Sequence, residues 1–349
     1  MRTARSGLRA RTPGRALAVA AAVVIAAGVL VGCTSSGGGD RLTIYSGRLP
    51  ELVEPLLEEF ADETGIGIDV RYGDSADLAL LIDEEGDKSP ADVFLSQAPG
   101  AMGYLDAKGR LTKLDRSILD RVEPRFRATN GDWVGLSARA RVLVYNPNLV
   151  PSADLPASVF DLTRPKYRGK VGVAPTNASF QDFVTAMRVL VGDAKTQEWL
   201  DGMKANGARA YANNLAIVDA VGRGEIPMGL VNDYYLYEVR NDDPGIPARN
   251  YFFPNGDVGT IILATSVGIL DTNDRGDDAR RLVEFLLSKR AQRFFAKKTY
   301  EYPLVAGVEP VSGKPPLASI QAPSLELDSL GGGLARTRAM IANSGLEQS

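Results

Sequence analysis

Met228-Gly229-Leu230-Val231-Asn232-Asp233-Tyr234-Tyr235-Leu236-Tyr237 reads as a short apolar strand, Met228 to Val231, that runs straight into two adjacent phenols. In open α/β sheets ligands bind just beyond the carboxyl ends of the strands, and Tyr234 and Tyr235 stand at that position in the sequence. Beside the amide of Asn232 and the carboxylate of Asp233, the two phenols could present hard oxygen ligands to a metal. Taken alone, adjacent tyrosines at a strand-to-helix junction are packing residues far more often than ligands, because aromatic rings bury a large area and need only a partner for the hydroxyl.

The segments on either side set this junction in an alternating pattern. Leu42 to Tyr45 is a β-prone run that stops at Ser46-Gly47. Leu52, Val53, Leu56, Leu57 and Phe60 then recur at helical spacing, with Glu51, Glu54, Glu58 and Glu59 opposite. Ile66 to Tyr72, Ala91 to Leu95, Val142 to Tyr145 and Val171 to Ala174 read as further strands. Helices are predicted over Ser75 to Glu85, Phe180 to Val191, Ala194 to Lys204 and Leu215 to Gly222. Gly259 to Leu270 is a long β-prone stretch, residues 277–297 read as helical, and a last helix is expected around Leu330 to Ala342. Strands alternating with helices predict parallel pairing and an α/β layer architecture. Arg139 and Arg141 share a strand face, and Arg141 is expected to pair with a carboxylate at the surface. Glu58, Glu59, Glu84 and Glu85 read as solvated helix faces, Asn213-Asn214 as a helix cap, and Trp133, Trp199 and Tyr237 as packing.

Composition removes several function classes. With 40 basic against 43 acidic residues the chain has no large field, so nucleic acid is excluded as a partner. It contains no histidine, which rules out the Ser-His-Asp triad and the usual zinc sites. At the N-terminus five arginines (Arg2, Arg5, Arg9, Arg11, Arg15) precede an apolar run from Ala16 to Val31 that is too short for a membrane span. Leu30-Val31-Gly32-Cys33 resembles the lipobox of bacterial lipoproteins, in which the cysteine becomes the lipidated first residue after cleavage. Cys33 is the only cysteine, so disulfide chemistry is excluded for the mature domain. The expected organisation is a signal peptide over residues 1–32, a lipid-anchored flexible tether over 33–40, and a remainder long enough for two packed domains of about 150 residues each.

Several markers in order carry a wider resemblance: Ile44-Tyr45-Ser46-Gly47; Ser89-Pro90-Ala91-Asp92-Val93-Phe94; Trp133-Val134-Gly135-Leu136-Ser137 running into Arg139-Ala140-Arg141-Val142; Pro175-Thr176-Asn177-Ala178-Ser179-Phe180; Tyr211-Ala212-Asn213-Asn214; Asn232-Asp233-Tyr234-Tyr235; and Glu301-Tyr302-Pro303-Leu304. Through these the chain resembles the periplasmic ferric-ion-binding proteins of bacterial ABC importers. That resemblance implies a two-lobe α/β fold of the type II periplasmic-binding-protein kind, with a hinge of crossing strands and a ligand cleft between the lobes. It divides the chain into a first lobe of residues 41–139 plus 265–310 and a second of 140–264 plus 311–349.

The resemblance implies further that Tyr234 and Tyr235 are ligands of a transported Fe(3+), with a synergistic anion such as carbonate, phosphate or citrate completing the site. A free phenol titrates near 10, but a bound trivalent ion favours the phenolate. Arg139 maps onto an anion-holding arginine, its planar fork suited to an oxyanion. Asn177, Ala178 and Ser179 map onto an anion loop at a helix start, and Asn214 and Asn232 onto asparagines that line the anion site. The chain departs from the family where relatives carry a histidine and a glutamate ligand, having Leu49 and Gln97 instead, and a third tyrosine of one subgroup falls at Phe180. Ser46 and Gln97 are the candidate first-lobe contacts. The partners implied are an ABC permease and its ATPase, with the chain a monomer held by its lipid on the outer face of the cytoplasmic membrane. The alternative is a binding protein for a metal-free anion, a phosphonate or a sugar phosphate. An exported enzyme would have to use Asp74, Asp233 or a tyrosinate as base, and no nucleophile elbow or phosphate-binding glycine loop is present.

Overall fold

One strand of 13 residues, Trp133–Tyr145, is buried along its whole length and organises the sheet. In the computed structural model, residues 41–348 are described; Cys33, the signal and the tether lie outside them. The chain opens with β1 (Arg41–Ser46), α1 (Pro50–Thr64), β2 (Gly67–Tyr72), α2 (Ser75–Glu85), β3 (Val93–Ser96), α3 (Pro99–Ala107) and the short α4 (Arg116–Leu119), and then enters the long strand, β4 (Trp133–Tyr145). Next come β5 (Val171–Val173), α5 (Ala178–Val191), α6 (Asp193–Ala205), β6 (Arg209–Ala210), α7 (Asn214–Gly222), β7 (Met228–Asn232), α8 (Tyr234–Asp242) and β8 (Arg249–Tyr251). The chain returns through β9 (Ile262–Ile269) to α9 (Gly276–Leu286), α10 (Lys289–Lys298) and β10 (Tyr302–Pro303), and ends in α11 (Leu334–Ser344).

Local chemistry explains the elements. Pro50 stands at the start of α1, where its missing N–H costs nothing. Val53, Leu56, Leu57 and Phe60 bury one face, and Gly65 ends the helix in the left-handed region at φ 72°. Asn213 caps α7 by accepting from the Ala216 N–H, as its sequence position suggested. Trp199 donates its indole N–H to the Val159 carbonyl at 3.0 Å and packs among Phe180 and Phe183. None of the helices among the described residues is long and apolar enough to cross a membrane.

The strand order is β2-β1-β3-β9-β4-β7-β5-β6, with β8 and β10 also pairing with β4. β1 is parallel to β2 and β3, and β5 is parallel to β6 and β7. The predicted parallel pairing therefore holds on each flank. At the centre it fails, because β3–β9, β9–β4 and β4–β7 are all antiparallel. There β4 carries the chain out of one half of the sheet and β9 brings it back, so the two long strands run in opposite directions. The sequence reading also found only the Val142 end of β4; the glycine, serine and arginines of its first part interrupt the apolar run, although all are buried.

β4 changes partners in mid-strand. Trp133 to Ala140 pair with β9, and Arg141 to Tyr145 pair with β7. At the changeover the Arg141 N–H donates to the Ile261 carbonyl at 2.9 Å, and the Asp233 N–H donates to the Ala140 carbonyl at 3.0 Å. The Ala140 N–H donates to Oδ1 of Asp233 at 2.8 Å. Oδ2 of Asp233 is ion-paired with Lys314 at 2.7 Å, both side chains fully buried. Burial pushes the Asp233 carboxyl upward against the pull of Lys314.

On the other side of the changeover, Arg48 lies 2.7 Å from Oε2 of Glu301 in a second buried pair. Ser137 and Thr299 donate their hydroxyls to the same oxygen at 3.1 and 2.9 Å. Burial alone would raise the Glu301 carboxyl, but Arg48, helped by Arg139 and Thr299, brings it below its ordinary value. Replacing Arg48 by Met strands that carboxylate among hydroxyls, and the expected loss in a urea unfolding titration is about 3–5 kcal/mol. The double variant Arg48→Met, Glu301→Gln should recover most of it.

Candidate metal and anion site

A single residue, Asp233, separates the last residue of β7 from the first of α8. Its side chain is committed to Ala140 rather than to capping the helix, so the first turn of α8 is fixed against β4. That turn carries the tyrosine pair. The two rings lie 4.2 Å apart at 33°, Tyr234 with 9% of its surface exposed and Tyr235 partly buried. Burial pushes the Tyr234 hydroxyl well above its ordinary range, and Tyr235 beside it adds to the effect. The Tyr235 hydroxyl is raised too, again chiefly by burial, while Tyr234, Arg139 and Arg141 oppose it. Both are neutral phenols until a cation stabilises their anions.

The tyrosines line a cleft of about 620 Å³ together with Arg139, Asn177, Ala178, Ser179, Asn232 and Gln97. One corner is the start of α5. Asn177 caps it by accepting from the Ser179 N–H at 3.0 Å, and the Asn177 carbonyl takes the Phe180 and Gln181 N–H groups. Asn214, fully buried at the start of α7, donates to Oδ1 of Asn177 at 3.1 Å and to Oγ of Ser179 at 3.0 Å. The structure thus brings Asn177, Ala178, Ser179, Asn214 and Asn232 into one polar corner beside the tyrosines, as the sequence suggested.

The arginines need one correction. Arg141 is not at the surface and pairs with no carboxylate among the described residues: it is 2% exposed and reaches Ser179, Asn214 and Asn232 at 3.4, 3.3 and 3.4 Å, with Nη2 donating to the Leu230 carbonyl at 2.8 Å. The register Arg141↔Asn232 places it there, and Phe180 and Phe183 cover its guanidinium face. Burial lowers it to about 9, so it is charged at neutral pH. Its Nε and the Nδ2 of Asn232 lack a partner among the described residues, an arrangement that suits an oxyanion. Arg139 donates to the Gln97 carbonyl at 2.7 Å and sits 3.5 Å from Asp182 on α5.

The facing wall is poorer. Gln97 lines the cleft, and its Oε1 accepts from Thr265 at 3.4 Å. Ser46 does not line it: the side chain is fully buried and its hydroxyl donates to the Arg48 carbonyl at 3.1 Å, so that Gly47 and Leu49 face the cleft instead. Leu49 is 60% exposed. Phe180 belongs to the aromatic core with Trp199. Tyr237 turns away from its two neighbours to donate to the Gly313 carbonyl at 3.0 Å. Among the described residues no group of three or more carboxylates or thiolates is placed to hold a metal.

Sequence reasoning missed Asp182 and Glu238, which also line the cleft. Asp182 carries a usable signal, an acid between Phe180 and Phe183 on the buried face of α5.

A family model described as bacterial extracellular solute-binding protein matches residues 88–321. The Fe(3+)-binding periplasmic protein of Serratia marcescens is 30% identical over 327 residues, covering 93% of this chain and 95% of that protein. The crystal structure of iron-bound HitA from Pseudomonas aeruginosa superposes with a TM-score of 0.81 at 34% identity, over 88% of this chain and 99% of that one. A Trichodesmium IdiA (FutA) structure in complex with iron and citrate does so with a TM-score of 0.77 at 27% identity, over 88% and 99%.

Burial raises the Asp182 carboxyl to about 6, with Arg139 opposing and Asp74 adding to the rise. Between roughly pH 4 and 6 the folded chain therefore holds a proton that the unfolded chain has lost, so this contribution to stability declines as pH rises through that window. Asp182→Asn should flatten the pH dependence of the unfolding free energy there, by at most about 3 kcal/mol.

Proposed function

Since the chain belongs to the bacterial extracellular solute-binding proteins, whose members bind a solute and are not enzymes, we propose that its solute is ferric iron, held by Tyr234 and Tyr235 and delivered to an ABC permease and its ATPase. The observation that carries this reading is the tyrosine pair itself, buried at the C-terminal end of β7 beside a charged arginine and a polar corner with unpartnered donors. A trivalent ion converts both phenols to phenolates and so releases protons on binding. Two phenolates leave one positive charge, which an oxyanion such as carbonate, phosphate or citrate offsets. Asn177, Ala178, Ser179, Asn214 and Asn232 would hold that anion, with Arg139 and Arg141 supplying positive charge.

The alternative solute is a metal-free phosphonate or sugar phosphate, which the tyrosines would meet as neutral phenols by stacking or hydrogen bonding rather than as phenolates. Closing of a first lobe (41–139 plus 265–310) on a second (140–264 plus 311–349) would be the state the permease reads, a hinge motion in which β4 and β9 bend. The processed protein would be a monomer tethered through Cys33 to the outer face of the cytoplasmic membrane.

Visible absorption tests the ligand assignment. The exported protein, stripped and titrated with ferric citrate, should develop a phenolate-to-iron charge-transfer band that saturates near one iron per chain. Tyr234→Phe with Tyr235→Phe should abolish it; unchanged iron uptake by that double variant would sink the assignment. For the anchor, Cys33→Ser should move the protein from the membrane fraction to the soluble fraction and remove labelling by a radioactive fatty acid.

A further inference from the structure

Glu238 stands three residues after Tyr235 and four after Tyr234 on α8, so all three share one helix face with neighbouring Cβ atoms about 5–6 Å apart. Helical side chains lean toward the N-terminus, which carries the Glu238 carboxylate toward the phenols. From the opposite wall Glu51, on the first turn of α1 two residues past Leu49, lines the same cleft. Both acids are exposed at the mouth of the cleft, and partial desolvation, then Asp242, then Glu51 push the Glu238 carboxyl upward. Among the described residues neither carboxylate accepts a hydrogen bond or pairs with a cation, although Arg139, Lys298 and Arg338 line the cleft too. An independent sign of a ligand here is Asn232, 3% exposed, which lines this cleft and whose Nδ2 has no partner among the described residues.

We propose, building on the tyrosine site above, that Glu238 and Glu51 are additional ligands of the bound ferric ion, one from each wall, and that Glu51 replaces the charged donors absent at Leu49 and Gln97. The Glu238 carboxylate takes the one charge that two phenolates leave, and the charge that Glu51 and the oxyanion add is met by Arg139 and Arg141. Glu51 reaches it only when the walls approach, so its bond to the metal holds the cleft closed. The remaining octahedral positions go to the oxyanion in the polar corner. Hard carboxylate oxygen suits a hard cation, and the cation gives both acids a common partner that neither has among the described side chains.

The test compares wild type, Glu238→Gln and Glu51→Gln as exported proteins purified from cells, loaded with ferric iron in competition with citrate. Thermal melting of the metal-free proteins checks that the variants fold. Even outer-shell partners of a metal commonly cost about 10–100-fold in affinity, so loss of a direct ligand in Glu238→Gln should exceed about 100-fold. The charge-transfer band of that variant should move to longer wavelength, because an iron with one fewer anionic donor accepts phenolate charge more easily. Glu51→Gln should keep the band but lose the iron-induced compaction seen in wild type by small-angle scattering. Wild-type affinity and band position in Glu238→Gln, with full compaction in Glu51→Gln, would overturn the proposal and leave the tyrosine site standing. Tighter binding of ferric citrate by either variant would also overturn it, making the acids a barrier to anionic cargo. A wild type with no band from any iron source defeats the tyrosine reading as well.

Discussion

The Asp233 clamp on Ala140 is the constraint on which the cleft depends. One residue satisfies both the N–H and the carbonyl of Ala140 at the point where β4 leaves β9 for β7. A strand that changes partners exposes backbone groups at the step, and buried backbone groups without partners are costly. Asp233 removes that cost and in doing so fixes the start of α8, whose first two residues are the tyrosines. Lys314, reaching in from the C-terminal segment, holds the other carboxylate oxygen. The tyrosine-bearing turn is thus built on the strand changeover itself rather than on a free loop, which keeps its geometry rigid.

Around that clamp the charges are set before any solute arrives. Arg141 keeps a full positive charge beneath the polar corner with only carbonyl, amide and hydroxyl oxygens and two aromatic faces for company. Arg139 faces Asp182, a carboxyl that burial raises to about 6. The tyrosines stay protonated for the same reason, burial in a region of low polarity. On the proposed reading metal and anion would answer different needs of one pocket: the cation would ionise the phenols, and the anion would meet donors without a partner among the described residues. Preorganised dipoles of this kind need no rearrangement when the ligand binds.

Much of this was legible in the chain. The flanking elements follow from period and capping residues, and the Met228 strand followed by two tyrosines pointed to the candidate cleft because strand ends are where such sheets bind. What escaped the reading was whatever depends on which strand lies beside which. Arg141 looked like a surface residue because an arginine on a strand face usually finds water; only the pairing with Asn232 shows that its neighbours are buried. Ser46 looked like a cleft residue because it precedes a turn, but its hydroxyl folds back on Arg48. Glu238 was lost among helix-face acids, and its interest comes from the wall across from it rather than from its own helix. The central antiparallel strands were hidden because local alternation of strand and helix carries no record of the chain crossing over and returning.

The pairing of β9 also governs when the molecule can form. Val93 must wait for Ile269, and Ala138 for Ala264, before β3 and the first part of β4 gain the strand that lies between them. On the ribosome, β1 to β4 emerge with one edge unpaired until most of the chain has been synthesised. Contacts this distant along the sequence close slowly. For a chain destined to be threaded through a translocase, such a delay keeps the polypeptide extended while it is still on the wrong side of the membrane. It also leaves a long apolar edge in need of a holding chaperone until the last strand arrives.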